Sequence, residues 1–147
     1  MAEVILISGK EHMDVHAVHR YLSNESYWSK GIPFELVDRA MSNSFCLGAF
    51  IEGAQVGFAR VITDYYTFGW LADVYVLPEH RGLGISKKMM SFIQEQDWAK
   101  RLRRMMLNTS TAHGLYRQFG FTAPAFPEYL MELYQPDIHL KYRSSEG

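Results

Sequence analysis

Cysteine is nearly absent: Cys46 is the only one in 147 residues, which excludes an internal disulfide and a thiolate-rich zinc site. Long apolar runs are missing too. No stretch reaches the ~18 apolar residues of a membrane-spanning helix, and Met1-Ala2-Glu3-Val4 has neither the basic start nor the apolar stretch of a secretory signal. Nor is there an excess of charge: 15 Lys and Arg face 16 Asp and Glu, for a formal net charge of -1. That balance gives no general attraction to nucleic acid or to an anionic membrane. Internal repeats and linker-like tracts are also lacking. What is present is 48% hydrophobic and 14% aromatic residues, enough to bury a core and far from the composition of disorder. The expectation is one globular domain over residues 1–147, reduced and cytoplasmic, with Arg143 to Gly147 as a flexible polar tail.

Periodicity supplies the elements. A strand at Val4 to Ile7 precedes a helix whose Val15, Val18, His19 and Leu22 share one face. Pro33 suits the first turn of a second helix reaching about Ser42. Phe45 to Ile51, Gln55 to Asp64 and Gly69 to Leu77 read as strands, the first two joined by Glu52-Gly53-Ala54. An amphipathic helix is expected from about Gly84 to Ala99, a strand at Arg104 to Asn108, a short helix at Ala112 to Phe119 and a last strand near Tyr129 to Leu133. The order is βααβββαβαβ.

The sharpest local feature is Val74-Tyr75-Val76-Leu77-Pro78-Glu79-His80-Arg81-Gly82-Leu83-Gly84-Ile85-Ser86. A strand ends at a proline, and glycines open directly into a helix. Glycine lets backbone approach a ligand, and the free N–H groups of a helix start carry partial positive charge. Together they can cradle a phosphate, although a turn that only joins strand to helix has the same glycines. A Walker A loop would end in Gly-Lys-Ser/Thr, which is missing, and a dinucleotide fingerprint would need glycine where Lys87 stands. Arg-x-x-Gly-x-Gly/Ala does fit, with Arg81, Gly84 and, as a departure, Ser86.

In this pattern the chain resembles the GNAT N-acetyltransferase superfamily. The likeness is densest from Phe68 to Phe121 and includes a second segment, Asn108 to Phe121, in which Leu115-Tyr116 is followed by Phe119-Gly120-Phe121. The resemblance implies an α/β (α+β) fold: a mixed, mostly antiparallel sheet flanked by helices and splayed at an acetyl-CoA slot. It implies a transferase that moves acetyl from acetyl-CoA to an amine by direct attack. It further implies that main-chain groups of Val74 and Val76 pair with the pantetheine. Amides of Gly82, Leu83, Gly84, Ile85 and Ser86 would hold the pyrophosphate, with Arg81, Lys87 and Asn108 beside the coenzyme. The Val76 N–H is the family-style donor to the oxyanion, and Tyr116 the candidate donor to the leaving thiolate. Tyr116 would otherwise read as an ordinary aromatic at a helix edge.

The attacking amine must be neutral, and for a lysine-type ammonium of pKa ~10.4 that costs about 4–5 kcal/mol at pH 7, so a base or a water relay helps. Strict alternation puts Leu71, Asp73, Tyr75 and Leu77 on one face. Asp73 in that apolar strand must be hydrogen-bonded or line a cleft. It is the first candidate base, with a structural hydrogen bond as the alternative; Asp64 and His113 follow. Tyr27 and Trp28, in the loop between the first two helices, and Tyr75 are candidate substrate-binding residues.

His12, His16 and His19 have helical metal-like spacing but lack the Glu of a metalloprotease motif, so no metal is expected. Lys100, Arg101, Arg103 and Arg104 complement a helix C-terminus. The expected partner is a small-molecule or peptide amine, with neither nucleic acid nor membrane; a homodimer is left open. A non-catalytic acyl-CoA-binding or regulatory module on the same scaffold is the alternative reading.

Overall fold

Apolar side chains on both faces of Phe45–Ile51 (β2) and Ala54–Thr63 (β3) make these the two central buried strands. They are joined by Glu52-Gly53, whose φ values of 50° and 81° are those a two-residue type I′ hairpin demands. The computed structural model describes residues 2–142; the tail expected at 143–147 lies outside them. Val4–Ser8 (β1), β2, β3, Phe68–Val76 (β4) and Arg104–Leu107 (β5) form one sheet in the order β1-β2-β3-β4-β5. Every pairing is antiparallel except β4 with β5, which is parallel. This is the mixed, mostly antiparallel α+β sheet that the sequence implies.

Two helices cover one face. Val15–Asn24 (α1) is capped by Asp14, which accepts from the Ala17 N–H at 3.0 Å. Phe34–Ser42 (α2) starts one residue after Pro33, which stands at its N-cap rather than in its first turn. Val18, Leu22, Val37 and Met41 enter a core with Cys46, Phe58 and Tyr75. On the opposite face, Ile85–Gln94 (α3) buries Ile85, Met89, Met90 and Ile93 against Leu47, Ala59, Val61, Leu71 and Val76. Each such side chain contributes roughly 1.5–3 kcal/mol by leaving water.

Three expectations change. The helix expected to reach Ala99 stops at Gln94. Gln96 is extended, with ψ 136°, and Asp97–Arg101 (α4) starts afresh. After His113–Arg117 (α5) the chain does not form a strand at Tyr129 to Leu133. It makes a 3-10 turn at Pro127–Tyr129 and then runs exposed to Ile138–Lys141 (α6). The strict alternation of β4 also fails, for a reason that belongs to the site. No helix among the described residues is long and apolar enough to cross a membrane.

Candidate active site

The β4–β5 ladder runs only from Phe68–Arg104 to Leu71–Leu107. Beyond it β5 ends while β4 continues to Val76 paired with β3 alone, so the sheet splays open on the β5 side. At that point β4 carries a bulge. Arg60 pairs with Ala72 and Phe58 with Tyr75, leaving Asp73 and Val74 together opposite Ala59. Asp73 takes φ 55°, a left-handed conformation that a residue with a side chain adopts only under constraint. The extra residue resets the pleat: Leu71 packs with the α3 core and Tyr75 with the α1–α2 core. Leu71 and Tyr75 therefore do not share a face, contrary to the period-two expectation.

The constraint on Asp73 is visible. Its Oδ2 accepts from Arg60 Nε at 2.9 Å and its Oδ1 from Trp28 Nε1 at 2.9 Å. Arg60 also donates to Ser44 Oγ at 3.0 Å. Both side chains of the ion pair are largely buried, at 14% and 10% exposure. With both oxygens engaged, Asp73 fits the structural alternative better than the free base. Arg60 was missed in the sequence, although a lone charge inside the apolar strand Gly57-Phe58-Ala59-Arg60-Val61 signals a buried partner by the same logic that singled out Asp73.

A groove of about 580 Å³ follows the splay, lined by Tyr27, Trp28, Val74, Asn108 and Tyr116 among others. Tyr116 is 8% exposed and meets Phe121 edge-on at 5.8 Å. Its hydroxyl has no partner among the described residues, and no fully buried side-chain nitrogen or oxygen is left unpaired. The hydroxyl is therefore accessible, on a residue that lines the groove. Burial, and then nearby Tyr27, raise its pKa above the ordinary tyrosine value, so it remains a protonated donor at neutral pH. Across the mouth, Tyr27 shares a hydrogen bond with Ser110 Oγ at 2.9 Å and meets Trp28 edge-on at 5.1 Å.

Leu77 donates its N–H to Val56 O at 2.8 Å. Strand alternation therefore turns the Val76 N–H and C=O toward the open side of β4. The Val76 carbonyl accepts from Arg81 Nε at 3.0 Å, and Arg81 also donates to the Tyr21 hydroxyl at 3.1 Å. Arg81 thus braces the turn that leads to α3. In that turn Gly82 and Gly84 have φ 81° and 78°. The first helical bond is Lys88 N–H to Gly84 O. The six amides from Gly82 to Lys87 have no protein partner among the described residues.

The acetyltransferase (GNAT) domain profile matches residues 42–123. The chain belongs to the GNAT acetyltransferase family. A Xanthomonas campestris pv. campestris protein assigned to the GNAT family is 48% identical and superimposes with a TM-score of 0.91, covering 95% of this chain and 98% of that one. A Gibberella zeae relative assigned as an acetyltransferase is 33% identical across 74% of this chain and 73% of its own. A Clostridium acetobutylicum protein solved with acetyl-CoA shares the fold at 16% identity, with a TM-score of 0.66 over 97% of this chain and 100% of that one.

Within this GNAT fold several expected residues do not gather at the splay. Tyr75 is 6% exposed, stacks on Tyr21 at 3.8 Å and lines neither groove described here. Its place is the core, not an acceptor wall. Asp64 accepts from the Tyr66, Thr67 and Phe68 amides and the Thr67 hydroxyl, which holds its carboxyl well below the usual range. It is a turn residue. His16 stacks on Phe34 and His19 bonds to Ile32 O, and the described residues contain no metal-like cluster. Cys46 is buried on the α1–α2 side, and desolvation pushes its thiol up to about 11. Ser110 and Tyr21 were also missed, because hydroxyls carry no distinctive spacing.

Proposed function

We propose that the chain moves the acetyl group of acetyl-CoA to a primary amine by direct attack in a ternary complex. The observation that carries this reading is the set of unpartnered amides from Gly82 to Lys87, in the turn that follows β4, the strand whose Val74 lines the groove together with Tyr116. A β-carbon added at Gly82 or Gly84 would meet nothing within 4 Å, so the donors of the turn are open to approach. That is a fitting seat for a pyrophosphate. Acetyl-CoA supplies the activated acyl group.

The chain's own groups do the rest. The amides of Gly82 to Ser86 hold the diphosphate, with Lys87 beside it, and Asn108 borders the slot. The Val74 and Val76 main chain orients the pantetheine, and the Val76 N–H donates to the acyl oxygen as charge develops there. Tyr116 donates to the departing sulfur; with a thiol pKa of ~8.5 a hydrogen bond suffices. Asp73 is a positioning residue that fixes the bulge and, through Trp28, the acceptor loop. The amine loses its proton to water at the mouth between Tyr27 and Trp28. Direct attack is consistent with Cys46, which is buried, lines neither groove and is held as a thiol.

The test is an acetyl-CoA titration read by thermal stability, followed by thiol release with a panel of primary amines. A saturable rise in Tm together with thiol release is expected. A rise with no release from any amine would instead favour the non-catalytic acyl-CoA module. No rise would overturn both.

A further inference from the structure

The groove at the splay is lined by one acid and no base. Among its lining residues Asp73 is the sole Asp, Glu, His, Lys or Arg. The charge of Asp73 is matched by Arg60 Nε at 2.9 Å, its second oxygen accepts from Trp28, and its side chain is 10% exposed. The groove therefore offers a ligand no uncompensated charge of either sign. The basic side chains nearby lie elsewhere: Arg104, His113 and Arg117 line a neighbouring groove of about 510 Å³.

In place of charge there is aromatic surface. Trp28 is 40% exposed and Tyr27 70%. Trp70, on β4, lines the same groove and makes neither a hydrogen bond nor a ring contact among the described residues. No fully buried side-chain nitrogen or oxygen is left unpaired, so the Trp70 indole N–H is accessible as a neutral donor. Elsewhere an exposed ring is covered by the protein's own cation: the Arg101 guanidinium lies 4.4 Å from the centre of the Tyr66 ring. No cation among the described residues covers Tyr27, Trp28 or Trp70. Their faces are left for a cation that a ligand brings.

These features discriminate among amines. A carboxylate beside the amino group would lose water and find no cation in the groove, a cost nothing there offsets. A second ammonium would likewise find its only anion already paired. A single ammonium is served by the aromatic faces, whose negative π-surface attracts it, and an apolar body gains by covering the indoles. The acceptor is also small. Val74, Asn108 and Tyr116 serve the coenzyme, so the acceptor has only part of the 580 Å³.

On the reading that this groove is the acyl-transfer site, we infer that the acceptor is a small monoamine: one ammonium on an uncharged apolar body, with neither a carboxylate nor a second cation.

Calorimetric titration of the chain, with and without CoA, tests this on matched probes. 2-Phenylethylamine is expected to bind at least tenfold more tightly than phenylalanine, and phenylalanine amide, which lacks the carboxylate charge, to recover most of the difference. Pentylamine should bind at least tenfold more tightly than 1,5-diaminopentane. Trp70→Leu should weaken 2-phenylethylamine and leave phenylalanine unchanged, with circular dichroism as the check on folding; the probe series on the wild type stands without it. Phenylalanine or the diamine binding as tightly as its uncharged-bodied counterpart overturns the inference, and so does failure of every amine to bind. Binding in the expected order with no thiol release from acetyl-CoA upholds it and counts against acyl transfer alone.

Discussion

Arg60 Nε and Asp73 Oδ2 meet at 2.9 Å across the only irregularity in the β3–β4 pairing. The pair ties β3 to β4 at the bulge, just past the last β4–β5 partners, Leu71 and Leu107. Breaking a buried ion pair from one side strands a charge, at a cost of about 3–5 kcal/mol. Arg60→Met should lose about that much in urea unfolding, and Arg60→Met with Asp73→Asn should recover a large part of it. Additive losses would mean that the two residues act separately.

If Asp73 positions Trp28 instead of taking a proton, Asp73→Asn lowers kcat and leaves the shape of the pH–rate profile intact. Loss of one limb of that profile would return the base role to Asp73.

Tyr116→Phe removes a hydroxyl that binds no described protein group. Turnover should fall by about 10²-fold, the scale of a positioned proton donor. The KM for acetyl-CoA should stay nearly constant, and stability within about 0.5 kcal/mol of wild type. Steady-state kinetics and thermal melts check both. An unchanged kcat removes Tyr116 from the chemistry.

At Gly84 a methyl group has room, but φ 78° is left-handed. Gly84→Ala should therefore cost roughly 1–2 kcal/mol through backbone strain alone. Because strain relaxes by turning the amides, acetyl-CoA should also protect the variant less against heat. Equal protection would place the diphosphate elsewhere.

Asp64 gives an acid dependence. Its carboxyl is held below its unfolded value, near ~3.9, by the Thr67 hydroxyl first and then the amides of Thr67, Tyr66 and Phe68. The folded state thus binds fewer protons than the unfolded one. The stabilisation is full above pH ~4 and is lost as pH falls further. Urea midpoints measured between pH 6 and 3 should drop for the wild type and less steeply for Asp64→Ala. Parallel curves would contradict this.

Most elements were legible because their signals are local. The α1 stripe of Val15, Val18 and Leu22, the Glu52-Gly53 turn and the glycines before α3 each declare themselves within a few residues. The bulge did not, because it is a count of β4 residues against β3 residues, and a period-two pattern within one strand cannot register it. That single extra residue sent Tyr75 to the core. The break after Gln94 was hidden because Trp98 and Ala99 continue the apolar pattern into α4. Residues 129–134 looked like a strand for sound reasons of composition, but composition does not supply a partner, and they join no strand of the sheet. For the candidate site, the glycine turn before α3 and Tyr116 stood out by motif. The Arg60–Asp73–Trp28 chain was not, since it joins three separate elements.

The ladder between β4 and β5 stops at Leu71–Leu107, and past it two links close the mouth, Trp28 to Asp73 and Tyr27 to Ser110. Both start from neighbouring residues of one surface segment. Replacing that segment would therefore unlatch both closures at once and free one oxygen of Asp73 in the strand beneath.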